Sequence, residues 1–540
     1  MYVRLPPQCR KSDKSCRGDS ARNAVGGHVL LVQQGAVEIL WVTRRLLLSR
    51  RTTAAATGQA AAPSQVTQTC FSNQSTYPDP DRIYASANDK NLHEFKEASV
   101  EMLDVIGIGI GPFNLSLAAL IEPTPLRALF LEKRDALVWH PGLALPNSRL
   151  QVSPLKDCVT LVDPTSPYSF LNYLALHGRL YSFVNKRNAS TSRQEFIEYY
   201  RWVAGRLKTL RFSEVVNDVI PFRDGYRIST NTTTYLARAV VVGVGVEPKI
   251  PACARSLLCG TLYHAADYLE RPLPQAAEHV LVVGGGQSGA EITEDILTRS
   301  VSTQITWSTS RSNFFAIDDN SFVNEAYTPA YSRRFHALPL QQRRDIVEGE
   351  MLTSDGISVD LCNRLYEMLY ERSVDGTLSD RFRVLPSVVV KGITSHKMGW
   401  RVDLDEIATQ RNSCILVDRI VLATGFQPRT PPFLEALLEG ACMEDGLPVL
   451  GPDYAVRFGR PVPGPIYLQN QSRVQHGLQS ANLSLVAYRN SQIINSLLGR
   501  PFYLNTSGRQ MIQVYATSDA SERDAGVVAM RSTRQVSGGT

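Results

Sequence analysis

The chain has 540 residues, 43% of them hydrophobic and 20% charged. That is ordinary globular composition, with apolar material for three to four domain-sized units, and it excludes a wholly disordered, collagen-like or disulfide-stapled chain. The formal charge of +6 belongs to the leader: residues 1–60 hold eight Arg and two Lys against Asp13, Asp19 and Glu38, a net +7 that leaves −1 for the other 480. The body therefore lacks the cationic excess that would neutralise a nucleic-acid backbone.

Residues 1–98 read as a poorly ordered basic leader, least structured in the Ala/Ser/Thr/Gln-rich segment 52–77. Its most apolar stretch, 28–48, is broken by Gln33, Gln34, Glu38, Arg44 and Arg45, so stable membrane insertion is not expected. Thr43-Arg44-Arg45-Leu46 resembles a twin-arginine export signal, and the Arg-rich, acid-poor composition is shared with transit peptides. No continuous apolar stretch comes after the arginines, which favours a plain extension. Nine cysteines, an odd number without regular spacing, point to reduced thiols and a cytoplasmic protein. Met102 stands just before the first convincing strand and is a candidate natural start.

Order begins at residue 103. A buried strand over 103–108, a glycine turn, a helix over 113–120 and a second strand over 126–131 form a βαβ unit. Residues 278–309 repeat the scheme, with strands over 280–283 and 304–307 around a helix over 289–297. Further strand-and-glycine patterns lie at 240–245 and 420–425. The fold class is α/β: two Rossmann-like dinucleotide-binding domains, the second inserted within the first, with a small substrate-binding region. The expected domains are 99–250 with 395–505, binding FAD, and 251–394, binding NADPH and carrying substrate-binding segments. A flexible tail is expected over 506–540.

Two motifs carry the chemistry. Gly109-Ile110-Gly111-Pro112-Phe113-Asn114 is G-x-G-x-x-G with Asn114 in the third glycine position. Gly109 allows the tight turn, Gly111 lets a pyrophosphate approach the backbone, and the helix N-terminus offers unpaired N–H groups. Glu132 ends the next strand 23 residues after Gly109, where an acid accepts ribose hydroxyls. The second motif, Gly284-Gly285-Gly286-Gln287-Ser288-Gly289, is complete. Its next strand ends in Ser308, Thr309, Ser310 and Arg311, with no acid. Hydroxyl and guanidinium donors there suit a 2′-phosphate, hence NADPH. Two dinucleotide sites imply electron flow between them, and FAD with NADPH is the usual pair. Asp418 to Phe426, a strand ending Ala423-Thr424-Gly425, is a pattern of such flavin enzymes.

A flavin–disulfide reductase would need a redox cysteine pair. Cys253 and Cys259, six apart among small apolar residues, read instead as packing residues. The alternative is a monooxygenase, in which NADPH reduces FAD and O2 forms a C4a-hydroperoxide.

The second class gains support from a resemblance. Asp104 to Leu117 (DVIGIGIGPFNLSL), Trp139-His140-Pro141-Gly142, Leu150 to Asp157 (LQVSPLKD) and Phe170 to Leu174 (FLNYL) resemble the siderophore-type flavin N-hydroxylating monooxygenases, the lysine N6-hydroxylase family. So do Phe322 to Glu325 (FVNE), His476-Gly477 and Asn482 to Leu485 (NLSL), and the similarity spans roughly 102–502. It implies FAD- and NADPH-dependent hydroxylation of a terminal amine for hydroxamate siderophores, used in iron acquisition. Thr353 to Ile357 (TSDGI) resembles the lysine and diamine branch. That favours L-lysine, with cadaverine, putrescine or ornithine as alternatives.

By position, the resemblance puts Glu132 to His140 along FAD, Gln151 near the isoalloxazine ring and Ala481, Asn482 and Leu483 against the flavin. Gly284, Gly286, Gln287, Ser288 and Arg311 fall to NADPH, although the family's phosphate-binding arginine aligns with Ser310. Lys156 is to meet the substrate carboxylate, Asn324 to hold its amino-acid end and Ser484 to touch it beside the flavin. The chemistry is flavin-centred, with no catalytic side chain and no metal assigned. The resemblance also implies a homo-oligomer such as a tetramer. A flavin redox sensor without turnover and a carbon-oxidising monooxygenase are the readings from other classes.

Overall fold

A computed structural model of the protein describes residues 101–504 and 511, apart from 187–189, 275–276, 301, 377, 379–380, 470 and 472. The expected leader, and the expected tail except Met511, lie outside these residues.

The first sheet grows from strand β1 (Met102–Ile108), which leads into helix α1 (Pro112–Ile121) and strand β2 (Ala128–Leu131). β2 runs parallel to β1, with Leu131 opposite Ile108, and strand Leu210–Arg211 extends that edge. On the other side β3 (Thr234–Val242) is parallel to β1 and sets Val242 beside Ile108. The antiparallel pair Val216–Phe222 and Gly225–Thr230 continues beyond β3. β1 and β3 read as nearly unbroken apolar runs because helices and loops cover both faces of a parallel sheet. One face carries Leu115, Leu117, Phe130 and Tyr199, and the other carries Ile106, Val240 and Leu434.

The second sheet is wholly parallel. It contains β4 (His279–Val283), helix α2 (Gln287–Arg299), β5 (Gln304–Ser308), β6 (Phe382–Leu385) and β7 (Arg419–Leu422). The order is β6-β5-β4-β7, with Leu262–His264 beside β7. The carboxyl ends Val283, Ser308 and Leu422 are in register, so the turns after them open on one edge. A three-stranded antiparallel sheet over Val388–His396, Gly399–Glu406 and Arg411–Val417 packs on this half through Val402, Leu404 and Leu281.

The chain leaves the first half at Val246–Pro248 and re-enters it at Phe426–Pro428, and these two short strands pair antiparallel. The return does not begin at the expected 395. Residues 388–422 stay with the second half, because β7 lies beside β4 with Leu422 opposite Val283. Both β3 and β7 end in a buried apolar run that leads to a glycine, and that pattern does not say which sheet a buried strand joins. The first half is completed by β8 (Ile466–Leu468), parallel to β3, and helix α3 (Val486–Leu498), packed on α1.

Candidate functional site

In the first glycine turn Gly109 has φ +89°, and a Cβ added there would lie 2.5 Å from the Gly243 carbonyl oxygen. Only glycine allows β1 and β3 to end this close together. Gly111 caps α1 with no side-chain hydrogen bond, and a Cβ there would point into open space. The first N–H groups of α1 are therefore free for an anion, with the helix dipole behind them. Glu132 sits at the end of β2 and already touches the turn: Oε2 accepts the Ile110 N–H at 2.9 Å and Oε1 the Arg134 N–H at 3.0 Å. An open crest, bare helix N–H groups and an acid at the next strand end fit the adenosine and pyrophosphate half of FAD.

Asn114 does not join this surface, contrary to expectation. It is fully buried, and its amide donates to the carbonyls of Ile108 at 3.2 Å and Gly109 at 2.9 Å. Gln469 reaches its Oδ1 at 3.5 Å and also bonds Asn490, whose amide donates to the Phe113 carbonyl. Asn114 shapes the turn from beneath, as its amide supplies donors that a third glycine lacks.

In the second turn Gly284 has φ +130°, and an added Cβ would lie 2.1 Å from the Ala423 carbonyl oxygen. Gly286 caps α2, again without a side-chain bond. Arg311 donates through Nη1 to the Asp355 carbonyl at 2.9 Å, and that oxygen lies 4.0 Å from the Cβ position of Gly286. The guanidinium is thus held near the crest of the turn. Ser288, half-buried, is the second residue of α2. The arrangement fits NADPH.

The two halves meet in a polar chain whose first link is Gln151. Its amide donates to the Gly356 carbonyl at 3.1 Å and to Gln287 Oε1 at 3.2 Å, and that oxygen also accepts the Ser358 N–H at 2.8 Å. Gln287 donates to Glu291 at 3.0 Å, and Glu291 pairs with both terminal nitrogens of Arg193, each at 3.1 Å. The side chains of Arg193 and Glu291 are only 14% and 2% exposed. Burial raises the Glu291 carboxyl pKa, and Arg193 opposes that. Sequence reasoning missed this pair. Gln287 and Glu291 one helical turn apart was its only visible trace.

His140 adopts the left-handed conformation, at φ 47° and ψ 54°, with its ring against Trp139 and Phe426. Burial, aided by Arg193 and Arg134, lowers its pKa to about 4, so it is neutral near pH 7. His476 is buried between the rings of Tyr454 and His336 at 4.0 and 4.5 Å, which makes it a packing residue.

Two of the three expected substrate residues touch, and the third lies on a turn that reaches them through Tyr327. Lys156 Nζ donates to Ser484 Oγ at 3.0 Å and lies 4.9 Å from the Tyr327 ring centroid. Asn324 shares the turn Val323–Tyr327 with that tyrosine and donates to Asp319 Oδ1 at 2.7 Å. Asn482 Oδ1 accepts the Ser484 N–H at 2.8 Å, which ties the 481–483 stretch to the cluster; Ala481 is exposed and Leu483 buried. Burial lowers the Lys156 pKa and the charge of Asp319 works against that. Asp319 and the contact with Tyr327 were not anticipated, since neither stands in a recognisable spacing. A cavity of about 740 Å³ opens elsewhere, between Pro146–Arg149, Glu294 and Arg364–Arg372, and holds none of the expected residues.

Comparison with known proteins gives the family and the fold. Residues 101–428 match the family described as L-lysine 6-monooxygenase/L-ornithine 5-monooxygenase. An L-lysine N6-monooxygenase of Escherichia coli is 33% identical over 407 residues, covering 74% of this chain and 96% of that protein. A cadaverine monooxygenase of the desferrioxamine pathway of Erwinia amylovora, solved with FAD, superposes with a TM-score of 0.72 at 28% identity, covering 78% of this chain and all of the other. An ornithine N-hydroxylase of Kutzneria sp. 744, solved with reduced FAD, NADP+ and L-ornithine, gives 0.70 at 29% identity, covering 74% and 99%.

Proposed function

The chain belongs to the L-lysine 6-monooxygenase/L-ornithine 5-monooxygenase family, enzymes that use FAD and NADPH to hydroxylate an amine nitrogen in siderophore biosynthesis, and on that premise we propose that its substrate is L-lysine, hydroxylated at N6. When bound, FAD supplies the oxygen-activating chemistry and NADPH the electrons.

In this reading Gly109, Gly111 and Glu132 hold the nucleotide half of FAD, while His140, Gln151, Ala481, Asn482 and Leu483 line its flavin end. Gly284, Gly286, Gln287, Ser288 and Arg311 hold NADPH. Lys156, Asn324 and Ser484 take the amino-acid head of lysine. The observation that carries the reading is the Lys156 ammonium: it is half-buried, bonded to neutral Ser484 and without a carboxylate in ion-pair contact among the described residues. An anion on the substrate would complete it.

What remains for the protein is placement. A free lysine amine has a pKa near 10.4 and is unreactive as the ammonium. Burial of the reacting end disfavours that charge, while the head of the substrate is pinned at Lys156. No side chain is assigned as acid or base: with a pKa of about 4 His140 has no proton to give at working pH and is only a weak base, and His476 is walled in by Tyr454 and His336.

The test is hydroxylamine formation and amine-stimulated NADPH oxidation with lysine, ornithine, cadaverine and putrescine. Lysine should give the highest kcat/KM. A higher value with a diamine moves the substrate to that class, and no hydroxylamine with any amine favours the redox sensor. Lys156→Ala should weaken lysine about 10- to 100-fold and leave cadaverine nearly unchanged, since only lysine has the carboxylate. No described helix is long and apolar enough to cross a membrane. The reading includes a cytoplasmic location, where NADPH is supplied, and a homo-oligomer, which sedimentation would test.

A further inference from the structure

Lys156 and Asp319 stand in one cluster with opposite charges, yet they are not in ion-pair contact. Each is held by a neutral partner instead: the ammonium donates to Ser484 Oγ at 3.0 Å, and the carboxylate accepts from Asn324 Nδ2 at 2.7 Å. Asn324 and Tyr327 lie on one short turn, and the Tyr327 ring meets Lys156, so the two charges share a site. The field of Asp319 reaches both Lys156 and the Tyr327 hydroxyl. Two opposite charges, each bonded to a neutral side chain and not to the other, suit a ligand that carries the complementary pair.

We propose that Asp319 is a specificity residue that receives the second ammonium of the substrate: the α-ammonium of an amino acid, or the distal ammonium of a diamine. This deepens the reading of the Lys156 cluster as the site for the substrate head. An ω-amine substrate must be neutral at its reacting end and charged at its other end. A carboxylate at the head favours the ammonium there without touching the reacting amine. Lysine and its decarboxylated diamine both keep the second ammonium, whereas only the amino acid keeps the carboxylate. Asp319 and Lys156 therefore read different groups. Acceptance of both amino acids and diamines requires only that the Asp319 contact be common to them.

Three ligands of the chain length that the wild type turns over separate these roles: the amino acid, its decarboxylated diamine and its deaminated ω-amino acid. Each is titrated calorimetrically into the full-length holoenzyme with FAD and NADP+ bound, and kcat/KM is measured beside it. Asp319→Asn should weaken the amino acid and the diamine about tenfold or more, with the deaminated acid within about twofold of wild type. Asp319 is exposed, and screening places the loss toward the lower end of the charge-assisted range. Asp319→Glu should recover part of the loss. If the wild type does not bind the deaminated acid at all, the second ammonium is indispensable, and selective weakening with rescue by Glu remains the supporting result. Equal weakening of all three ligands would assign Asp319 to holding Asn324 and overturn the proposal, as would unchanged affinity for the amino acid and the diamine. Lys156→Met gives the mirror pattern if Lys156 reads the carboxylate. If it leaves the deaminated acid unchanged while Asp319→Asn behaves as expected, the reading of Lys156 falls and that of Asp319 stands.

Discussion

The turn after β1 and the turn after β4 both bring a helix N-terminus to the edge of a parallel sheet, and they do it with different parts. In the second, Gly289 lets the helix lie against the turn: a Cβ there would be 2.2 Å from the Gly284 carbonyl oxygen, and that oxygen is satisfied by the Trp307 indole at 2.9 Å. In the first, Asn114 occupies the equivalent position, and its own amide satisfies the Gly109 carbonyl at 2.9 Å. One turn uses contact without a side chain and borrows its donor from the next strand. The other supplies the donor from the helix and opens space for it beside Gly243, whose Cβ position is 2.5 Å from the Asn114 amide. A buried carbonyl must find a donor either way, since leaving it unpaired costs about 1–3 kcal/mol. The third position of the motif is therefore a choice of donor, and the Asn is no defect.

Exchanging the two solutions tests this. Gly289→Asn, which copies the first turn into the second, drives a Cβ into backbone that has no room to give. We expect the largest loss, at least about 4 kcal/mol, seen as a collapse of thermal stability that NADP+ does not restore. A stable Gly289→Asn protein would show that the two turns are interchangeable. Asn114→Gly, the reverse exchange, removes a buried donor and adds glycine to a helix, for about 2–4 kcal/mol. Its readouts are the melting temperature and retention of FAD through gel filtration. Full retention would make the amide network from Asn114 to Gln469 dispensable.

The turns also differ in the charged residue just past the end of the next strand, Glu132 in the first and Arg311 in the second. Arg311→Ala should raise the KM for NADPH by roughly 10- to 150-fold, equivalent to about 1.5–3 kcal/mol, and leave that for NADH nearly unchanged. Equal effects on both would mean that Arg311 does not read the 2′-phosphate. The smallest effect concerns His140, beside the first half's flavin end. Its folded pKa, about 4, lies below the ordinary 6.5, so the unfolded chain binds more protons between those values. Stability is then present above pH 6.5 and declines as pH falls toward 4. His140→Asn, which tolerates the left-handed backbone, should flatten the fall in unfolding free energy between pH 7 and 5 by about 1–2 kcal/mol. An unchanged slope would assign the acid sensitivity to other buried histidines such as His476.

Legibility in the sequence tracked distance along the chain. Gly109, Gly111 and Glu132, and Gly284, Gly286 and Arg311, belong to strand–turn–helix–strand units whose period and spacing are local, and each stands at its turn. Lys156, Asn324 and Ser484 were found only through resemblance, and the geometry that joins them depends on segments 328 residues apart meeting at one hydrogen bond. Asp319 left no local trace and the Arg193–Glu291 pair only the Gln287–Glu291 spacing, because a charge has no period and its partner is set by packing.

By itself the sequence determined two dinucleotide turns, the strands that end in them and the acid or guanidinium that comes after each, since backbone sterics and hydrogen bonding act within a few residues. Only the tertiary structure decided that β7 joins β4 and leaves β3 to its own sheet, that Asn114 faces inward, that Gln151 and Arg193 clasp α2, and that Lys156 and Asp319 stand near each other unpaired. These were decided by which buried surfaces fit and which buried charges find partners. Both are properties of the packed chain, and no stretch of sequence carries them.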